Sequence, residues 1–297
     1  MTTASGPSTA IVTSSYRGDF ERCRLLCESI DRHVTGHSAH YILVEEADRA
    51  LFSALEGPRR HIVGERALLP KWLRPIPDPL NRKRRLWLHP YGLPLRGWHV
   101  QQLRRIAFGM GMDEAVMLSC DSDVVFVRPF DIGSLTSGGR VRFHRVPDGV
   151  DTVSDGLVAD HLAWSRKAGR LLGIAAPLET RTGYITTLVA WRADTVRAMA
   201  ERIATVAGRP ALHALAATRS LSECTIYGRF VDEVEGEPKR HESHSASLAR
   251  VYWAGDALGE ADLAAFIDGM DEAQVAICLQ SFIGTDLDLI RSAARLD

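Results

Sequence analysis

Along the chain, short runs of consecutive apolar residues alternate with stretches whose apolar positions recur every three or four residues, as in buried strands interleaved with amphipathic helices. Residues 9–15, TAIVTSS, read as a buried first strand ending in small hydroxylated side chains. The segment DFERCRLLCESIDRH follows with Phe20, Cys23, Cys27 and Ile30 at helical spacing, Asp19 placed as N-cap and Glu21 in the first turn. Residues 40–46 and 60–65 predict two more strands around a helix-like 47–57. The stretch GWHVQQLRRIAFGMG predicts a helix with Val100, Leu103, Ile106 or Ala107, and Met110 on its apolar face, and with Gln101, Arg104, Arg105 and Phe108 on the other. An apolar strand at 115–118 then runs into Asp121 and Asp123 and continues as 124–127. Further on, the pattern predicts a helix-like run to Leu172 and a strand at 184–191. Asp194 follows as a helix N-cap with Gly208 past that helix's end, and helical runs fill the chain after 259. The alternation predicts an α/β fold in one large domain, its mostly parallel sheet lined by a crevice at the strand ends.

The pattern breaks at 69–97, where six prolines predict a long irregular loop. It carries Lys71, Arg74, Arg82, Lys83, Arg84, Arg85 and Arg96 against the single acid Asp78, together with Trp72, Trp87 and Tyr91. Such a segment fits either a cover over a phosphate-bearing ligand or a solvated charge run with aromatics beneath it. The acids Asp148, Asp151, Asp155 and Asp160 leave a similar choice between acceptor contacts and a solvated loop.

Composition narrows the classes. With 297 residues, 45% of them hydrophobic, the chain can bury a large core. A net charge of −1 offers nothing to a general nucleic-acid binder. The five cysteines show neither a zinc spacing nor an even disulfide count, no stretch reaches membrane-spanning length, and the N-terminus has no basic-then-apolar leader, so a reducing cytoplasm is expected. The candidate chemistry is the acid pair. Carboxylates at the end of a buried strand need a positive partner, and hard divalent cations shared with substrate phosphates are one.

The order of IVTSSY, the WxxQQ helix, VMLSCDSDVVFVRPFD and SECTIYGRFV resembles glycosyltransferases of the GT-A fold, and most of all a bacterial family within it, over about residues 10–253. The resemblance implies a Rossmann-like sheet flanked by helices, with a nucleotide-sugar half at 9–131 and an acceptor half with C-terminal helices at 132–297. It implies that Thr13, Ser14, Ser15, Tyr16, Gln101, Arg105, Asp121, Ser122 and Asp123 line the donor site. It also implies that Asp121 and Asp123 hold Mn2+ or Mg2+ and that Glu223 is the catalytic base. Tyr184, Tyr227 and Gly228 would shape the acceptor pocket. A third metal ligand would be His244 or His241, with Arg250 standing where a histidine is otherwise expected. The implied donor is a UDP- or GDP-sugar and the acceptor a small molecule or glycan. Two rivals stay open: a phosphohydrolase of the haloacid dehalogenase type using Asp121 and Asp123, and a nucleotide-sugar binding protein without turnover.

Overall fold

The computed structural model describes residues 7–81, 84–236 and 239–296, and shows a single α/β domain with mixed sheets. Its largest sheet has five strands in the order Leu188–Arg192, Val116–Asp121, Thr9–Ser14, His40–Val44 and Arg60–Gly64. The last four run parallel, and Leu188–Arg192 is antiparallel to its neighbour. Every residue of Thr9–Ser14 is buried, which is why this strand reads as a continuous apolar run rather than an alternating one.

The acid pair lies where the chain changes sheets. Val116–Asp121 ends in the large sheet, two residues turn, and Val124–Phe126 enters a second sheet, pairing antiparallel with Ala276–Leu279, which lies parallel to Ala249–Tyr252. The apolar pattern through 115–127 therefore serves two sheets, and the aspartates occupy the joint. Ala276–Leu279 falls in a stretch that the sequence assigns to a helix. Four consecutive buried residues between two strands carry no period that tells strand from helix.

The proline-rich segment is also more ordered than its sequence suggests. Arg74–Pro77, Arg85–Leu88 and Leu95–Arg96 form an antiparallel three-stranded sheet. Pro75 and Pro77 sit on its outer strand, where a missing N–H costs no ladder bond. Arg82 and Lys83 lie outside the described residues. The strand expected at 184–191 is confined to Leu188–Arg192, and Asp194 lies inside the first turn of helix Ala193–Ala207, whose N-cap is Arg192. Gly208 does end that helix, at φ 62°.

Helix Gly97–Gly111 packs between the large sheet and helix Ala193–Ala207. At Gly109 an added Cβ would lie 3.2 Å from Val196, so a hydrogen there lets the two helices close. Val100, Leu103 and Ile106 face the core, each worth about 1.5–3 kcal/mol when fully buried. Arg104 and Arg105, expected on the polar side, are buried as well. Both need carboxylate partners, and the partners they find define the site.

Candidate functional site

The register of the parallel strands sets Ser14 beside Asp121 at the carboxyl edge of the large sheet. The Ser14 hydroxyl is buried without a hydrogen-bond partner, an uncommon state for a native side chain. Thr13, one residue earlier, faces inward, 3.0 Å from His40 Nε2 and 3.2 Å from Cys120 Sγ. Ser15 is buried, and Tyr16 is exposed at the edge.

Asp121 exposes about half of its side chain, while Asp123 is largely covered. Burial first, and then the charge of Asp121, raises the Asp123 carboxyl to about 6. Cys278 Sγ donates weakly to its Oδ1 at 3.5 Å. Ser122 between them is buried and donates to Asp19 Oδ2 at 3.5 Å. Asp19 makes no side-chain cap bond to its helix, and burial also raises its carboxyl. The acid that the sequence reads as a helix cap thus belongs to the same acidic edge. Three carboxylates with raised or crowded charge mark a place where added positive charge is favourable.

Arg105 is a cation that the structure brings to Asp121. Its Nη2 donates to Asp121 Oδ1 at 3.1 Å and its Nη1 to Glu223 Oε1 at 2.5 Å. Burial opposes its charge, but the two carboxylates outweigh burial and hold it protonated. Glu223 opens helix Glu223–Glu233, capped by Ser222, and its backbone N–H donates to Gln102 Oε1 at 2.9 Å. Burial raises its carboxyl, with Arg105 opposing. Glu223 is only 6% exposed and stands behind the guanidinium, so its immediate part is to hold Arg105 against Asp121. Of the glutamine pair, Gln102 takes part in this arrangement. Gln101 is half-buried beside it.

Arg104, one residue earlier, serves the proline-rich sheet. It donates to Glu65 Oε2 at 3.1 Å and lies 5.8 Å over the ring of Trp87, whose Nε1 donates to the same Glu65 oxygen at 3.2 Å. Arg85 pairs with Glu45 at 3.0 Å, just past strand His40–Val44. Burial first, and then the charges of Asp19 and Glu45, raise the phenol of Tyr16, while Arg84 opposes them.

The acceptor residues expected from sequence lie elsewhere. Tyr227 is fully buried, stacked 4.8 Å from Trp191, and its hydroxyl accepts from Arg192 N at 2.9 Å and meets His241 Nε2 at 2.8 Å. Tyr184, also buried, donates to Asp232 Oδ2 at 2.8 Å and packs on Gly228, where a Cβ would come within 2.2 Å of its ring. These three build the core around helix Glu223–Glu233. His244 meets Arg142 Nη1 at 3.1 Å and Glu242 at 3.7 Å, His241 meets Glu235 at 3.0 Å, and Arg250 lies 4.9 Å over Phe266, so each is engaged away from the aspartates. Among the described residues no three His, Cys, Asp or Glu side chains are grouped to hold a metal ion. The five cysteines are buried and unpaired. Among the same residues no helix is long and apolar enough to cross a membrane.

The molecule is thus an α/β protein with a polar, acid-lined edge where two sheets meet. Residues 8–294 match the model of DUF6492, a family of unknown function, and the chain belongs to that family. No curated protein matches it.

Proposed function

We propose that this protein is a cytoplasmic, GT-A-type glycosyltransferase moving a sugar from a nucleoside diphosphate sugar to a hydroxyl or amine of a small molecule or glycan. The observation that carries the reading is the Asp121-Ser122-Asp123 turn at the joint of two sheets, beside the unpartnered Ser14 hydroxyl. The edge fits Mn2+ or Mg2+ of the kind that keeps water and substrate phosphate in its shell, because two carboxylates from one turn suffice for such an ion and Asp123 lacks a strong partner. Asp121 and Asp123 would hold it, and when bound it would stabilise the departing diphosphate as a Lewis acid.

The chain's own residues have separate tasks in this reading. Arg105, fixed by Glu223, sets the direction of the Asp121 carboxylate. Ser14 offers its hydroxyl to the donor, and the exposed ring of Tyr16 offers a face to the base. Arg84, whose charge opposes the rise of the Tyr16 phenol, would add positive charge near the diphosphate. The five buried, unpaired thiols suit a reducing compartment.

Calorimetric titration with UDP and GDP, with and without Mn2+, tests the reading. Metal-dependent binding of one nucleotide to the wild type, lost in Asp123→Ala, is the expected result. Hydrolysis of a generic phosphate ester with no nucleotide binding would move the acid pair to phosphohydrolase chemistry.

A further inference from the structure

One exposed aromatic surface is used neither by the core nor by the acidic edge. Trp98 begins helix Gly97–Gly111 with 51% of its surface exposed, although indoles are usually well covered. It stands two turns, about 10 Å, ahead of Arg105 on the same helix. Its ring lies 5.6 Å from that of Trp164 at an interplanar angle of 39°, and Trp164 lies 4.8 Å from His161 at 43°. The tilts make a shallow trough rather than a flat stack. Leu157, one turn before His161 on helix Asp155–Leu172, extends the apolar surface.

The trough is tied to the loop that delivers Glu223. Trp164 Nε1 donates to Ser220 Oγ at 3.3 Å. Lys167 Nζ donates to the carbonyls of Ser220, at 3.1 Å, and Arg219. Ser220 is held at φ 53°, a left-handed conformation that serine seldom adopts. Glu223 follows three positions later, about 10 Å of extended chain at most. Trp164 and Lys167 thus hold an unfavourable backbone next to the site.

We propose that Trp98 and Trp164, edged by His161, form the acceptor subsite, and that the acceptor presents a pyranose ring, as a glycoside or glycan. A pyranose has an apolar C–H face for an indole and a rim of hydroxyls for groups such as the His161 ring and Ser220 Oγ. The word acceptor rests on the transferase reading, whereas sugar binding by the trough does not.

The test is nuclear magnetic resonance of the indole N–H groups of the full chain, free of metal and nucleotide, titrated with methyl β-glucopyranoside, lactose and N,N′-diacetylchitobiose. The signals of Trp98 and Trp164, assigned through Trp98→Phe and Trp164→Phe, should shift with at least one saccharide, while those of buried Trp87 and Trp191 stay still. Trp98→Ala and Trp164→Ala should weaken that binding about tenfold or more. The Phe variants should keep most of it, and all four should retain metal-dependent nucleotide binding. If no saccharide moves the two signals, or a nucleoside diphosphate moves them without metal, the assignment is overturned. Saccharide shifts in a protein that binds no nucleotide would retire the transferase and leave the trough as a sugar site.

Discussion

Asp123 carries the largest electrostatic cost at the acidic edge. Its carboxyl is raised from an ordinary 3.8 to about 6, so the folded state holds its proton more tightly than the unfolded chain. Stability then falls as pH rises from about 4 to about 6, and at neutral pH the ionised group costs at most about 3 kcal/mol. In chelator-treated protein, Asp123→Asn should raise the unfolding free energy at pH 7.5 by about 1–3 kcal/mol and give no gain at pH 4. A loss of stability at pH 7.5, read by urea unfolding, would mean that the native fold already compensates the charge. Asp19 and Asp121 contribute to the same crowding, so an acidic edge that is costly without a cation is a property of the three side chains together.

Helix Gly97–Gly111 shows how one element couples core to edge. Its adjacent arginines reach in two directions, Arg104 to Glu65 under the proline-rich sheet and Arg105 to the pair Glu223 and Asp121. Removing Glu223 leaves the buried Arg105 guanidinium with the half-exposed Asp121 in place of two carboxylates. Glu223→Leu should therefore cost about 3–5 kcal/mol, whereas the double variant Arg105→Met, Glu223→Leu should recover most of that by filling the space with apolar atoms. If the pair also directs Asp121, the recovered double variant binds Mn2+ and nucleotide more weakly than the wild type. Equal affinity would reduce the pair to a core feature. The sequence makes this helix legible, along with the strands from Thr9 to Gly64 and the acid pair. It hides the rest for physical reasons. A helix buried almost all round has no polar face to read, so Arg104 and Arg105 look solvent-facing. Ala276–Leu279 is too short to show a period, and the partners of Asp19 and Glu223 lie about a hundred residues away in sequence.

For the whole molecule, ligand binding and proton binding would compete at one place under the proposed reading. On that reading a cation held by Asp121 and Asp123 together with a diphosphate would bind the native state alone, and a ligand at a hundred times its Kd stabilises by about 2.7 kcal/mol. Asp123 must lose its proton to serve as a ligand. With its carboxyl near 6 it is ionised at pH 7.5 and mostly protonated at pH 5, which lowers cation affinity about tenfold, or about 1.4 kcal/mol, across that interval. The eleven histidines also titrate there, but they do so with and without ligand, so the difference between the two melting curves isolates the edge. With a net charge of −1, the chain has no large self-repulsion to confuse the comparison. The Tm gain from Mn2+ plus the nucleotide that binds should thus be clearly larger at pH 7.5 than at pH 5, and absent at both in Asp123→Asn. The apo and bound proteins then move in opposite directions: stability falls toward neutral pH without the ligand and is regained with it. A gain that is equal at the two pH values, or that survives Asp123→Asn, would place the cation somewhere other than this edge.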